Sequence, residues 1–511
     1  MKTEVLIVGA GPTGLALALW LTRLGVAVRI IDQNAEAAPY SRALGVQART
    51  LEFYRQLGFA QRAVDAGVEV VAINLWAGGK RRAHVPIGAV GEGLTPYPYL
   101  LDFAQDRHER LLIDELHELG VSVERSTALV TFTHDEHAAR ASLKRDDGTV
   151  ETVEARYLAG CDGAHSTVRE RLKIGLPGGT YTHLFYVADI VGSGPAVNGE
   201  LHVDLEETDL LAVFAMKGEG HVRLVGTIET HDVREDEKLT FDDVSQDVIR
   251  RMRFTIDKVN WFSTYRVHHR VAERFNDGRV FLLGGAAHIH SPVGGQGMNT
   301  GIGDAVNLAW KLADVLSGRG ANARLESYGV ERMAFARRLV KTTDRAFVFA
   351  TNTQPVMQFE RKRVLPVVAN LLKIRALRRL AFRTVSQINI HYRMSALSRG
   401  RAGRLCGGDR LPWVERASAG GDNLVPLQSL KWQIHVYGEV PKDVERACSD
   451  LDLPLHSFAW QDVMKRAGIA RGALYLVRPD GYIALAAKEN AAASLRAYAA
   501  AFLTRPDRLG P

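Results

Sequence analysis

The N-terminal stretch Val5-Leu6-Ile7-Val8-Gly9-Ala10-Gly11-Pro12-Thr13-Gly14 decides how the chain begins to fold. Four aliphatic residues in a row, Val5–Val8, predict a parallel strand buried on both faces. The GxGxxG after them leads into a helix over roughly Leu15 to Leu24, which Gly25 ends as a C-cap. Val26–Ile31 predicts a second strand, with Asp32 at its tip. Each residue type has a task. Gly9 permits the tight turn, Gly11 lets the backbone approach a diphosphate, and Gly14 lets helix and strand pack closely. Pro12 and Thr13 open a helix whose N-terminus offers free N–H groups and a positive dipole end to phosphates. Asp32 is placed to accept hydrogen bonds from an adenosine ribose. Strand, helix and acid together make a nucleotide grip, but this motif does not separate FAD from NAD.

Two distant segments narrow the choice. Tyr157-Leu158-Ala159-Gly160-Cys161-Asp162-Gly163-Ala164-His165-Ser166-Thr167 reads as a strand, a turn at Asp162-Gly163 and a helix start capped by Ser166 or Thr167. Gly278-Arg279-Val280-Phe281-Leu282-Leu283-Gly284-Gly285-Ala286-Ala287-His288 reads as a buried strand. It runs through Pro292-Val293-Gly294-Gly295-Gln296-Gly297-Met298-Asn299 into a long helix. Gly294, Gly295 and Gly297 beside a helix N-terminus form a nest of N–H groups, suited to the O2/N1 edge of a reduced, anionic isoalloxazine. His288 and His290 stand at i, i+2 with no cysteine or carboxylate near them in sequence, so they read as loop packing rather than metal ligands.

Composition excludes several classes. The chain has 511 residues, 65 Lys+Arg against 58 Asp+Glu and a net charge of +7, with no block of like charge. Nucleic-acid binding therefore gains no support. Cys161, Cys406 and Cys448 are scattered and form no CxxC. This argues against a disulfide framework or a cysteine-held metal and fits a reducing cytoplasm. No apolar run has the length of a membrane span.

The three segments, in this order and spacing, resemble the class A flavoprotein monooxygenases built on the para-hydroxybenzoate hydroxylase fold. The resemblance covers roughly residues 3 to 350, and is greatest to the phenol and polyketide hydroxylase branch, whose members carry an extra C-terminal domain. It implies an α/β protein in which a Rossmann-like FAD-binding domain (1–68, 102–178 and 268–350) interleaves with a mixed β-sheet substrate domain (69–101 and 179–267). Linking helices (351–400) and a thioredoxin-like domain (409–511) would follow, with Ser398–Gly408 as a linker. It implies that Gly9, Gly11, Pro12, Thr13 and Gly14 hold the FAD diphosphate, and that Asp32 and Gln33 lie at the ribose. Gln105, Leu129, Asp162, Gly163 and Gly285 would contact FAD elsewhere. Pro292, Gly295, Gln296, Gly297, Met298 and Asn299 would line the flavin ring. Arg42 is the candidate catalytic residue, either acting on the flavin's oxygen adduct or serving as a plain phosphate contact. Tyr181, Phe185, Phe214, Met216 and Trp261 are candidates for the substrate wall, or are sheet core.

The resemblance also implies the chemistry. NADPH or NADH reduces the flavin, O2 adds to give a C4a-hydroperoxide, and an electron-rich aromatic, phenolic or polyketide-type ring takes the distal oxygen. Baeyer–Villiger oxidation, epoxidation and a non-catalytic flavin scaffold are the alternatives, and a homodimer is compatible with all of them. One departure stands out: Gly285 replaces the family's aspartate in Gly-Asp-Ala-Ala-His, so Gly285→Asp is expected to bind FAD at least as tightly.

Overall fold

The computed structural model describes residues 2–37, 43–205, 210–228, 239–291, 294–351, 374–417 and 421–503. Arg42 and Pro292 lie outside the described residues. The chain runs through β1 (Lys2–Val8), α1 (Pro12–Arg23), β2 (Val28–Ile31), β3 (Gly45–Val46), α2 (Ala48–Leu57), β4 (Leu100–Asp102), α3 (Gln105–Glu118) and β5 (Val150–Gly160). It continues through β6 (Gly178–Ser193), β7 (Leu210–Ala215), β8 (His221–Ile228), β9 (Thr255–Val271), β10 (Val280–Leu282), α4 (Gly297–Leu316), α5 (Ala323–Thr351) and α6 (Arg375–Val385), with shorter elements between.

Among the described residues, one sheet of seven strands has β10, β5, β1 and β2 side by side, all parallel. Val5, Leu6 and Ile7 are fully buried, as expected of a strand covered on both faces. α1 and α4 pack on each other in the same core. α1 ends at Arg23, and Gly25 follows at φ +79°, the left-handed turn that the sequence places there.

A second sheet, of eight strands, contains β9, β6, β8 and β7 in that order, then Leu201–Leu205, Ala72–Ala77 and Lys80–Pro86. Its strands are antiparallel except where Leu201–Leu205 runs parallel to Ala72–Ala77. Strand alternation splits it into two faces. Leu211, Val213, Val222, Leu224, Ala188 and Ile190 pack on one side around Trp76, Val248 and Ile249. The other side looks toward β3, because Arg223 of β8 reaches across to donate to the Ala43 carbonyl at 3.0 Å.

The C-terminal part builds a six-stranded sheet in the order Leu405–Cys406, Arg399–Ala402, Ile483–Ala487, Leu474–Val477, Gln433–Tyr437, Leu455–Phe458. The expected linker at Ser398–Gly408 is thus an edge of this sheet. The reason is steric: a side chain on Gly400 or Gly407 would collide with the neighbouring backbone, so these glycines serve close approach rather than flexibility. Among the described residues, no helix is long and apolar enough to cross a membrane.

A buried charge seam joins the C-terminal sheet to the rest. Asp304, Asn307, Lys311 and Asp314 recur at helical spacing along α4, and all are buried. Lys311 Nζ donates to Glu331 of α5 at 3.0 Å, and Arg478 donates to both Glu331 oxygens at 2.9 and 3.1 Å. Arg478 also bonds Asp480, and Trp310 Nε1 donates to Asp480 at 3.1 Å. Burial pulls the Lys311 ammonium down to about 8, while Glu331 and Asp480 oppose that shift. Replacing Arg478 by Ala takes the guanidinium from two buried carboxylates and leaves Glu331 Oε1 without its donor. The expected cost is about 3–5 kcal/mol, read as a lowered denaturant midpoint, whereas a change under about 1 kcal/mol would show the seam to be unimportant.

Candidate active site

The parallel strands bring the three sequence motifs to one edge. Val8 pairs with Gly160 and Gly160 with Leu282, so Gly9, Cys161 and Leu283 leave the sheet side by side. Gly9 N donates to Ile31 O and Cys161 N to Val8 O, both at 2.8 Å, and Leu283 N donates to Gly160 O at 3.0 Å. Gly9 takes φ +102°, and a side chain there would press on the Cys161 carbonyl at 2.5 Å. A side chain on Gly14 would run into Gly9 O, which is the close packing that the motif requires. Beyond Gly11, by contrast, nothing lies within 4 Å of a would-be Cβ. Pro12 is the first residue of α1, whose first turn has neither an acidic residue nor a side-chain cap. Thr13 wedges against Gly284 and Gly301 and thereby locks the first motif onto the third.

Asp32 accepts from Ala10 N at 2.8 Å and from Asn34 N at 2.9 Å, and Arg125 stands 3.8 Å away. Gln33 is exposed. Leu129 is buried close by, in a strand whose start is tied to Asp32 by Thr127 N donating to Asp32 O at 2.9 Å. Gln105 opens α3, where its side chain donates to Glu109 at 2.7 Å and its backbone N to Ala43 O at 3.1 Å. Asp162 serves the short helix that follows it: it accepts from the Ser166 hydroxyl at 2.5 Å and from Val168 N at 3.1 Å. Ser166 itself is the cap, accepting from Arg169 N at 3.0 Å.

Gly294 and Gly295 take φ +76° and +62°, and Gly297 starts α4, which again has no acidic residue or side-chain cap in its first turn. Asn299 organises this turn. It accepts from Gln47 N at 2.9 Å and the Thr50 hydroxyl at 2.7 Å, and donates to Gly45 O and Gly295 O, both at 2.8 Å. Gln296 donates to Gly294 O and to Val385 O of α6, and accepts from Gln387. Met298 Sδ lies 3.3 Å from Nδ1 of His108, which burial pushes down to about 3. Around the turn, the Nε2 of His290 and the hydroxyls of Ser291 and Ser386 are buried without a protein partner among the described residues.

Gln47, Thr50 and Gln387 were not foreseen from the sequence. They sit in runs of mixed polarity with no periodicity to single them out. The carboxylate missing near His288 comes from the next helix: Asp304 accepts from His288 Nε2 at 2.7 Å, Gly284 N at 3.0 Å and Arg332 Nε at 2.6 Å. Burial raises the Asp304 carboxyl, and Arg332 with His288 outweighs that, leaving it below its ordinary value. Among the described residues no metal-ligand cluster forms. Cys161 is buried, and burial raises its thiol, which keeps it inert.

On the open face of the eight-stranded sheet, Phe214, Arg223, Asp189 and Trp261 form one cross-strand row. Arg223 is fully buried and grips Asp189 at 2.6 and 2.7 Å, and its guanidinium lies 5.8 Å from the Trp261 ring. Phe185 lies on the same face, buried against Val267 and Tyr265. Met216 is half-buried beyond Phe214, toward the hairpin. Tyr181 packs against the same Phe185–Val267 cluster, while its hydroxyl bonds Asp344 of α5 and its ring lies 4.7 Å from that of His269.

A family model described as an FAD binding domain matches residues 2–343. The chain belongs to this FAD-binding family. The 6-methylpretetramide 4-monooxygenase of Streptomyces rimosus is 31% identical over 99% of this chain and 95% of that protein. Rifampicin monooxygenase of Rhodococcus hoagii is 32% identical over 76% of this chain and 79% of its own length. The solved structure of the OxyS anhydrotetracycline hydroxylase from Streptomyces rimosus superposes with a TM-score of 0.80 at 27% identity, covering 98% of this chain and 99% of that one. The protein is therefore a flavin-dependent monooxygenase whose cofactor is FAD. The site fits that cofactor: two uncapped helix N-termini, open space at Gly11, and orphaned polar atoms around the second glycine turn.

Gly285 tests the fit further. A Cβ there would lie 3.1 Å from Gly163 Cα and 3.4 Å from Ala164 N, so any side chain must displace the Asp162–Gly163 turn slightly. Gly285→Ala is expected to cost about 1 kcal/mol in thermal unfolding. Gly285→Asp should bind FAD more tightly than Gly285→Ala in a flavin titration. Equal affinities would mean that the carboxylate gains nothing. Asn299→Ala should weaken FAD retention and lower stability by about 2–3 kcal/mol, since it orphans several buried groups. Unchanged FAD content on gel filtration would speak against its organising role.

Proposed function

We propose that this enzyme uses NAD(P)H and O2 to hydroxylate a flat, polycyclic aromatic molecule of polyketide type. The observation that carries the reading is a row across six strands of the open sheet face: Leu75, Val203, Ala212, Val225, Val187 and Ser263. All are small or aliphatic, and all but Val187 remain half-buried. Interior sheet positions of this kind normally pack against another layer. Here they make the floor of a trough whose walls, two residues or about 7 Å to either side, carry Phe214 and Trp261 on one flank and Phe185 and Tyr265 on the other. A floor without bulk between aromatic walls suits face-on stacking of a planar ring system. The relatives support the substrate class, since their names specify 6-methylpretetramide, rifampicin and anhydrotetracycline.

On this reading the FAD-binding part comprises 1–68, 102–178 and 268–350, and 69–101 with 179–267 form the chamber. Gly9, Gly11, Pro12, Thr13 and Gly14 would hold the diphosphate on the N-terminus of α1. Asp32, Gln33, Gln105, Leu129, Asp162, Gly163 and Gly285 would border the rest of the cofactor. Gly295 to Asn299 would border its ring, with N–H groups of α4 facing any negative charge there. The bound flavin supplies the electron transfer and oxygen activation. The chain's own residues orient the two planar molecules and exclude water. The C-terminal module, proposed to be thioredoxin-like, has no CxxC for thiol chemistry and serves to brace α4.

Polycyclic phenols should accelerate NAD(P)H oxidation by the FAD-loaded protein, with one atom of labelled O2 appearing in the product. A complete lack of stimulation across phenols, naphthols and tetracyclic polyketides would defeat the proposal. Arg42→Ala resolves that residue's two readings. Uncoupled NAD(P)H oxidation at normal FAD content marks a catalytic role, and lost FAD marks a phosphate contact.

A further inference from the structure

Asp102 closes β4 and is 2% exposed. Neither carboxyl oxygen has a hydrogen-bond partner among the described residues. A buried carboxyl left so is costly unless something else satisfies it. Its position indicates what that is. Gly45 of β3 stands directly opposite it, and opposite residues of an antiparallel pair share a face. A Cβ on Gly45 would lie 3.3 Å from Leu100 Cδ1 and 4.0 Å from Gly295 Cα. The Asp102 carboxyl therefore stands on the face turned toward the glycine turn ahead of α4.

Charge does not satisfy it either. Arg223 is the cation whose field reaches Asp102, but its Nε and Nη2 are committed to Asp189 and its Nη1 to Ala43 O. β3 brings only Gly45 and Val46, and the strand Val68–Val70 brings two valines, with Glu69 alternating to the opposite face. Burial pushes the Asp102 carboxyl well above its ordinary value, against the pull of Arg223. A neutral carboxyl is a side chain that sets one O–H donor beside one C=O acceptor. Its natural complement is a cyclic imide edge, an N–H flanked by carbonyls. The isoalloxazine ring has such an edge.

We propose that Asp102, acting as donor and acceptor at once, pairs with the imide edge of the FAD ring. The inference rests on the reading that the ring lies at the glycine turn. In the full-length apoprotein, Asp102→Asn keeps a donor beside an acceptor and should bind FAD within about threefold of the parent. Asp102→Leu should bind FAD about tenfold or more weakly by fluorescence titration. On FAD binding, the difference infrared spectrum of the parent should show a shifted protonated-carboxyl C=O band that Asp102→Asn lacks. Should Asp102→Leu fail to fold, that band decides alone. Leucine binding FAD within about twofold of the parent, an unshifted band, or a band shifted only by added substrate would each overturn the proposal. A parent chain that takes up no FAD would instead overturn the functional reading beneath it.

Discussion

The whole site depends on one registration: Val8, Gly160 and Leu282 lie abreast in a parallel sheet. Parallel strands all release their chains at the same edge, so loops far apart in sequence must emerge as neighbours. Hydrogen bonds between the strands fix the height at which each loop leaves. The Thr13 wedge between Gly284 and Gly301 then fixes the sideways fit of α1 against α4. Together the two devices set where α1 and α4 begin relative to the edge of the sheet.

A second layer of support comes from further along the chain. Asn299 is wired to Gln47 and Thr50 at the start of α2, and the same stretch of that helix carries Arg49 and Glu52. Arg49 donates to Asp480 O at 2.5 Å, and Arg410 pairs with Glu52 through Nε at 2.9 Å. The C-terminal sheet thus reaches the glycine turn through α2, while the Arg478 seam holds the middle of α4. Buried ion pairs are poor sources of net stability, but they penalise any other arrangement heavily. Here they set where α4 begins.

Much of this was legible in the residues. Val5–Val8, the glycines after it and Gly25 obey local rules, and the structure follows them closely. The family resemblance implied that the three loops meet, and the parallel register of β1, β5 and β10 brings their strands to one edge. What escaped was set by tertiary context. The Asp304–Asn307–Lys311–Asp314 stripe has the spacing of a solvated helix face, yet it is buried, since its partners on α5 and the C-terminal sheet lie beyond any local window. Ser398–Gly408 has a flexible composition, yet its glycines permit strand contact. Asp102 sits in an apolar run where nothing local predicts an acid lacking a mate.

The two-faced sheet has a consequence for how this scaffold diversifies. Along β7, Leu211 and Val213 are anchored in a closed core, while Ala212 between them is not. On the proposed reading of this face, neighbouring codons answer to different selective pressures, one set to foldability and the other to the shape of the cargo. On that reading a lineage resculpts the proposed trough by exchanging residues such as Ala212 or Val225 and leaves the hydrophobic underside intact.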